Sequence, residues 1–461
     1  MPKLNRLMFR EYDIRGKLTD DELNKDSIRL IGLGFGAFLQ KRGIKDVILG
    51  HDYRSYSKSV KNNMRKGLLS SGCNVIDIGM VLVPMLYAAQ YYLKKEGGVM
   101  ITASHNPDGW TGFKLAHGYS KTLKADELNE LYELIESGLF VHGKGKLSRK
   151  DISEQYAKDL VSRMHLKKPI TVVMDCGNGT AGAFAPKIFK EAGCEVVELF
   201  CNLDYTFPNH FPNPELQQGR DKVAEEVLKN KADIGILFDG DGDRMGVVDD
   251  KGNTIWADRI LILLARQLLK KKPGAKIVFD VKCTQALGED IKAHGGIPIM
   301  WKTGHSWIKS KLHEEKADLA GERSGHIFFV DNYYGFDDGV FAGLRLVEYL
   351  SELPHGLSEE LATTPQYIIS PTIHVDCPDD KKYRVVEKLV DEFKRDYKVI
   401  DINGARVLFP EGWGLVRASS NEPVLVLVFE AKTQEALEKY KKIFKEKFAK
   451  YPEISKVWKN E

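Results

Sequence analysis

The sequence predicts an α/β protein built from several parallel-stranded units, and three observations predict it. Short apolar stretches that read as strands alternate with amphipathic stretches that read as helices, the pattern of parallel sheets. Several of those strands stop abruptly at small polar loops, notably around Ser104, Asp239 and Glu322. The recurrence of strand plus polar loop points to three related α/β units, although the identity between them is slight. The last stretch breaks the pattern, with a linker, a helix, a polar turn and a long apolar strand. At 461 residues the chain has room for roughly three domains of about 150 residues. Composition and turn signals divide it at 1–150, 151–253, 254–365 and 366–461.

The balance of charge excludes several classes of function. There are 68 basic and 65 acidic residues, a net charge of +3. Such cancellation argues against a general nucleic-acid or membrane binder. The longest uncharged apolar runs, such as Ile260 to Ala265, fall far short of the ~20 residues a membrane span needs. The N-terminus has no signal-peptide core, and the six cysteines form no C-x-x-C pair or metal-ligand spacing. A cytoplasmic protein with reduced thiols and no nucleic-acid or membrane partner is expected; the sequence is compatible with a monomer.

In the first section, the charged segment Phe9 to Gly16 places Tyr12 and Arg15 either on a surface turn or at a site. Helices are expected near 27–42 and 58–70, and strands at 47–49 and 74–78. Val99-Met100-Ile101 then reads as a buried strand end, followed by Thr102-Ala103-Ser104-His105-Asn106-Pro107. Ser104 therefore sits just past a strand tip, where α/β proteins tend to place reacting groups. Its hydroxyl needs a base, a cation or a metal to become a useful nucleophile; a turn-capping serine is the plainer alternative. Gly112 to Leu115 reads as a return strand, which brings Lys114 back toward the same loop. A helix from about Asp126 to Ser137 has acidic residues in its first turn, as the helix dipole favours.

The second section opens with a strand at 170–174 and the turn Asp175-Cys176-Gly177-Asn178-Gly179-Thr180. That turn matches no phosphate-binding glycine motif and reads as a tight turn against the sheet. A helix is expected over 183–192, and 204–214 must be loop. Ile234 to Phe238 is an apolar strand that runs into Asp239-Gly240-Asp241-Gly242-Asp243-Arg244. Three carboxylates in five residues repel one another unless a cation sits among them. All-oxygen ligands favour Mg²⁺ or Ca²⁺. An EF-hand fits the first three positions but fails at Arg244, where glycine is needed, and its flanks should be helical. Arg244 suits a phosphoryl oxygen.

In the third section, strands at 276–280, 297–300 and 317–320 lead into polar loops carrying Lys282, His305, and Glu322 with Ser324 and His326. A lone histidine is more often structural, but recurrence at successive strand tips points to a shared cleft. Glu322 and Ser324 suit sugar hydroxyls. Leu361 to Pro371 reads as a linker. Beyond it, Arg417-Ala418-Ser419-Ser420-Asn421 suits a phosphate dianion, with a polar hairpin as the plain alternative. A final helix carries Leu437, Tyr440, Phe444 and Phe448 on one face.

Taken together, 102–107, 239–244, 321–326 and 417–419 resemble the α-D-phosphohexomutase superfamily, most closely its phosphomannomutase/phosphoglucomutase branch, in order and spacing over nearly the whole chain. The resemblance implies three related α/β domains with mixed sheets and a smaller C-terminal α+β domain around a central cleft. It implies that Ser104 carries a phosphoryl group, and that Asp239, Asp241, Asp243 and the serine phosphate hold Mg²⁺. Tyr12, Arg15, Lys282 and His305 match substrate positions. Glu322, Arg323, Ser324, Gly325 and His326 match the sugar loop, and Arg417, Ala418, Ser419, Ser420 and Asn421 the phosphate clamp. Two departures stand out: Arg323 occupies a position that is often Met or Gln, and Ser420-Asn421 stands where relatives usually have Asn-Thr.

The implied reaction shifts a phosphoryl group reversibly between O1 and O6 of a mannose or glucose phosphate, through a sugar 1,6-bisphosphate that also serves as activator. Arg244 would neutralise the transferring group, and Lys114 and His305 are the candidate acid/base groups. The rivals are the same chemistry on glucosamine phosphate, a serine-and-metal phosphatase, and a non-enzymatic sugar-phosphate or Ca²⁺ binder.

Overall fold

The computed structural model describes residues 4–140, 142–420 and 422–460. The chain forms two compact units. One comprises Met1–Ile260 with Ser324–Glu359, and the other Leu261–Arg323 with Glu360–Glu461. Among the described residues no helix is long and apolar enough to cross a membrane.

The first unit contains two mixed sheets. In the first, β1 (Ile14–Lys17), β2 (Asp46–His51), β3 (Asn74–Met80), β4 (Gly97–Ile101), β5 (Trp110–Ala116) and β6 (Leu147–Arg149) take the order β1-β5-β4-β2-β3-β6. Strands β4, β2, β3 and β6 run parallel, while β5 folds back antiparallel on β4 and carries β1. The helices over Lys25–Gln40, Ser57–Ser71 and Val83–Leu93 make the crossovers, as parallel pairing requires. The first of these starts where Asn24 Oδ1 accepts the Ser27 N–H and Ser27 Oγ accepts the Asn24 N–H, a reciprocal cap worth about 1 kcal/mol. Its apolar face, with Ile31, Phe35 and Phe38, joins Val47, Leu49, Val99, Ile101 and Phe113 from the strands in one core.

The second sheet has β7 (Thr171–Asp175), β8 (Glu195–Leu199), β9 (Ile234–Phe238), β10 (Met245–Val248) and β11 (Thr254–Ile255), in the order β11-β10-β9-β7-β8. Here β8, β7 and β9 are parallel and β10 returns antiparallel on β9. Both sheets therefore repeat one device: a parallel strand ends in a loop, and the chain comes straight back beside it. Helix Gly339–Glu352 also packs on this sheet, with Gly343 facing Phe189 and Ile236. This packing is why 324–359 belong to the first unit although the sequence joins them to the third section.

In the second unit β12 (Lys276–Asp280), β13 (Ile297–Trp301) and β14 (Leu319–Gly321) are parallel with β12 central. After β15 (Ile327–Phe329), which belongs to the first unit, come β16 (Ile368–Ile369), β17 (Ile373–Asp376), β18 (Lys398–Ile400), β19 (Ala405–Phe409), β20 (Gly412–Ala418), β21 (Val424–Ala431) and β22 (Trp458–Lys459). They form an antiparallel sheet, covered by Lys382–Asp396 and Gln434–Phe448. Leu437, Tyr440, Phe444 and Phe448 are all buried in this core.

The helix expected over about 183–192 is present at Ala185–Glu191, after a 3₁₀ turn at Thr180–Ala183; Pro186, in its first turn, suits that start. One expectation needs correction. The stretch 361–371 is not all linker. The helix Leu357–Ala362 runs into it, and β16 pairs with β21.

Candidate active site

In the first unit, two short loops supply most of the polar groups. Loop 102–109 joins β4 to β5, and loop 239–244 joins β9 to β10. They are tied together: Thr102 Oγ1 donates to Asp241 Oδ2 at 2.9 Å, and Ser104 Oγ donates to Asp239 Oδ2 at 2.9 Å. Ser104 has φ of +50° and is buried, an uncommon left-handed conformation for a residue with a Cβ. Its N–H is satisfied by Thr102 Oγ1 at 2.8 Å. Two glycines make the close approach possible. A Cβ on Gly240 would lie 2.5 Å from the Ser104 carbonyl oxygen, and Gly242 turns with φ of +73°.

Asp239, Asp241 and Asp243 are completely buried, with ligand atoms within 4.8 Å of one another. Burial, reinforced by the Asp241 and Asp243 charges, pushes the Asp239 carboxyl up to about 7. Burial pushes Asp243 the same way, but the charges of Lys114 and His326 outweigh it and hold Asp243 low. Lys114, on β5, returns to the loop as expected. Its ammonium bonds Asp243 and lies 3.2 Å from Asp241 Oδ2. Burial alone would favour neutral Lys114, yet the two carboxylates keep it firmly charged. Even so, Asp241 Oδ1 and Asp243 Oδ1 are buried without a hydrogen-bond partner. Unsatisfied carboxylate oxygens converging in a buried site fit a hard divalent cation.

Arg244 donates from Nε to Asp239 Oδ2 at 3.0 Å and lies 3.6 Å from Glu215 Oε2. It also donates from a terminal nitrogen to His105 Nδ1. Because arginine only donates, Nδ1 of His105 is an acceptor and the ring proton sits on Nε2. Burial, then the charges of Arg244, Arg15 and Lys114, keeps this ring neutral. Arg15 is buried; it donates to Asp13 Oδ2 at 2.6 Å and to the Asn106 side chain in the serine loop. Tyr12 is half-buried in the turn before β1.

The segment 321–326 is divided at the unit boundary. Ser324, Gly325 and His326 belong to the first unit. There Met245 N–H donates to the Gly325 carbonyl at 3.2 Å, and His326 Nδ1 stands 3.0 Å from Asp337 Oδ2 and 3.7 Å from Asp243 Oδ1. Asp337 is fully buried and was not singled out in the sequence; its only signal is the acidic pair Asp337-Asp338 after a glycine-aromatic turn.

The second unit brings together the other expected residues. Asp280, at the end of β12, is a completely buried hub. It accepts from Thr303 Oγ1 at 2.7 Å, from Cys283 Sγ at 3.0 Å and from the Arg323 N–H at 3.1 Å, and Lys282 Nζ lies 3.8 Å away. Glu322 accepts the Gly304 N–H, which fixes the turn just before His305, the buried first residue of helix His305–Glu314. Asn403 Oδ1 accepts from Arg417 Nε at 3.0 Å and from the Thr303 N–H at 3.3 Å. Arg417 also donates to Ser420 Oγ at 3.4 Å. The Arg417 segment and the strand-tip loop are thus joined by an asparagine with no motif around it. Ala418 ends β20, Ser419 follows it half-buried, and Asn421 lies outside the described residues.

Arg323 departs from expectation. Its side chain is buried and donates to the Ser370 carbonyl at 3.0 Å. Glu322 and Arg323 both lie just past β14, which ends at Gly321, with Arg323 in the turn that follows. Glu322 turns toward the Gly304 loop, and Arg323 turns into the protein beside β16.

Comparison with known proteins agrees across the chain. Residues 6–142, 154–252 and 256–367 match the phosphoglucomutase/phosphomannomutase alpha/beta/alpha domains I, II and III, and 373–447 match the C-terminal domain of the same proteins. The phosphomannomutase/phosphoglucomutase of Pseudomonas syringae is 42% identical over 444 residues, covering 96% of this chain and 95% of the relative. The phosphoglucomutase of Neisseria gonorrhoeae is also 42% identical, over 463 residues, 99% of this chain and 100% of the relative. A crystal structure of a phosphoglucomutase/phosphomannomutase family protein from Burkholderia thailandensis superposes with a TM-score of 0.90 at 36% identity, covering 98% of this chain and 99% of that one.

Proposed function

Since the chain belongs to the phosphoglucomutase/phosphomannomutase family, we propose that it moves a phosphoryl group reversibly between O1 and O6 of mannose and glucose phosphates. The observation that carries this reading is Ser104. Its hydroxyl is fixed in a left-handed turn 2.9 Å from Asp239, within a buried ring of carboxylates and cations. Such a hydroxyl is set up to exchange a phosphoryl group rather than to cap a turn.

Phospho-Ser104 donates its phosphoryl group to the free sugar hydroxyl. The P–O bond to Ser104 Oγ breaks as the bond to the sugar oxygen forms, giving the 1,6-bisphosphate. That intermediate turns over, and its other phosphoryl group returns to Ser104. Asp239, Asp241, Asp243 and the serine phosphate would hold Mg²⁺, which when bound offsets negative charge on the transferring group. Arg244 orients and neutralises the same group. Of the two candidate acid/base groups, His305 would take the sugar hydroxyl's proton. Lys114 stays protonated between Asp241 and Asp243 and has no lone pair to offer. Its charge steadies the carboxylates. His305, Lys282, Glu322 and Ser324 recognise the sugar, with Tyr12 and Arg15 near the serine loop. Arg417, Ser419 and Ser420 grip the phosphate that is not reacting.

The test is a side-by-side assay of mannose, glucose and glucosamine 1-phosphates with Mg²⁺ and a trace of glucose 1,6-bisphosphate. Comparable turnover of mannose and glucose, with little on glucosamine, is expected. Preference for glucosamine would move the substrate to amino sugars and keep the chemistry. Release of inorganic phosphate without isomer would overturn the mutase reading.

A further inference from the structure

A buried arginine behind the serine loop turns both terminal nitrogens of its fork to that loop's carbonyls. Arg54 follows β2 and is 5% exposed. One terminal nitrogen donates to the Ser104 carbonyl at 3.1 Å and to the Asn106 carbonyl; the other donates to the Pro107 carbonyl at 3.0 Å and to Tyr56 Oη at 3.2 Å. Arg54 Nε lies 3.5 Å from Asp52 Oδ2, and Asp52 in turn accepts the Ala103 N–H at 3.3 Å. Tyr56 donates onward to the Trp110 carbonyl, where β5 begins, at 2.7 Å. Asp52 and Arg54 thus take one N–H and three carbonyls of a loop that contains a single strained residue, Ser104.

We propose that Arg54 is the positioning residue for phosphoryl transfer: it holds residues 103–107 so that the Ser104 side chain, bare or phosphorylated, faces the carboxylate loop. This rests on the mutase reading above and deepens it. The argument is geometric. A non-glycine residue with positive φ persists only where its surroundings over-determine it. A planar trans peptide points its N–H opposite its carbonyl, so a cation that draws the Ser104 carbonyl to one side turns the His105 N–H to the other. Arginine alone offers five fixed donors for such a set; lysine offers three from one point and cannot span acceptors spread over four residues. Arg54 holds the serine loop through backbone carbonyls alone, and its other contacts are Asp52, Tyr56 and the Phe207 ring, so its loss bears on alignment of the reacting oxygen.

The experiment compares full-length wild type with Arg54→Lys and Tyr56→Phe. Three quantities are read: amide hydrogen exchange over 102–109, the rate at which glucose 1,6-bisphosphate phosphorylates Ser104 (by intact mass), and kcat and KM for glucose 1-phosphate. In Arg54→Lys, phosphorylation and kcat should each fall about a hundredfold, the cost of a small misplacement of a reacting atom. KM should stay within about twofold, and exchange in the loop should rise with the amides of β4 unchanged. Tyr56→Phe, which keeps the arginine but removes one of its acceptors, should show the same pattern at about threefold. A folded Arg54→Lys protein with wild-type phosphorylation and loop exchange overturns the proposal. If Arg54→Lys does not fold, wild-type values in Tyr56→Phe overturn it. If the wild type itself is never phosphorylated at Ser104, the mutase reading fails, and loop exchange alone then decides whether Arg54 holds the loop.

Discussion

The two units carry polar clusters of different kinds. In the first, Ser104, Lys114, Asp239, Asp241, Asp243, Arg244 and Asp337 are buried, and most of their contacts are charge to charge. In the second, Arg417 is held by a neutral amide and a hydroxyl, and apart from the Lys282 ammonium 3.8 Å from Asp280, Asp280 and Glu322 accept from N–H, hydroxyl and thiol donors. Dense buried charge acts most strongly on charge that develops during reaction. An arginine backed by neutral partners keeps its full charge for a ligand. The contrast separates chemistry from grip, and substitutions in the two clusters should separate kcat from KM.

The largest effect should come from Ser104→Ala, which removes the hydroxyl proposed to carry the phosphoryl group. Isomerisation should fall about 10⁴-fold or more, measured as conversion of glucose 1-phosphate to glucose 6-phosphate; retained turnover would sink the serine role. Next comes Asp241→Asn, which neutralises one of the crowded carboxylates. Turnover should drop roughly 10²- to 10³-fold, and calorimetric titration should show weaker Mg²⁺ binding. Unchanged Mg²⁺ affinity would separate this loop from the metal.

Across the comparison, Arg417→Ala should raise KM for hexose phosphates about 10- to 100-fold and alter kcat by less than about threefold. A fall in kcat with KM unchanged would break the division between chemistry and grip. Arg323→Met sharpens it further. The Arg323 guanidinium serves the Ser370 carbonyl, so the ratio of mannose to glucose turnover should stay within about twofold, while the variant loses about 1–3 kcal/mol of stability from the unsatisfied buried carbonyl. Altered sugar preference with unchanged melting would put Arg323 back in the sugar site.

The same contrast explains what could be read in the sequence. The serine and metal loops are contiguous segments, each bounded by an apolar strand, so residue type, spacing and place in the fold agree within ten residues. The strand flanks β9 and β10 also bear out the rejection of an EF-hand. Asp337, Asn403, Asp280 and Arg54 could not be found this way. None stands in a recognisable motif, and two serve partners far along the chain: Asn403 is 100 residues from Thr303, and Arg54 is 50 from Ser104. Local patterning carries no record of such pairings. Arg323 is the opposite case: it lies inside a motif, but in the turn after β14 its buried side chain goes to the Ser370 carbonyl.

The smallest effect tests whether charge placed away from both clusters acts only on stability. Glu127, in the first turn of helix Ala125–Ser137, accepts from His117 Nε2 at 2.8 Å and from the Lys124 N–H at 3.2 Å. Partial burial raises its carboxyl, but the His117 contact and the Lys124 N–H prevail and hold it at about 2. A carboxyl lowered in the folded state contributes stability that is complete above its unfolded value, near 4.5, and is lost as pH falls through the folded value. Glu127→Gln should therefore melt about 1–2 °C below wild type at pH 7, a modest shift because the pair is partly solvated. The gap should close between pH 4.5 and pH 2 as wild type loses the same interaction, with kcat and KM at pH 7 unchanged. A gap that persists at pH 2, or a change in kcat at pH 7, would mean that Glu127 does more than anchor its helix.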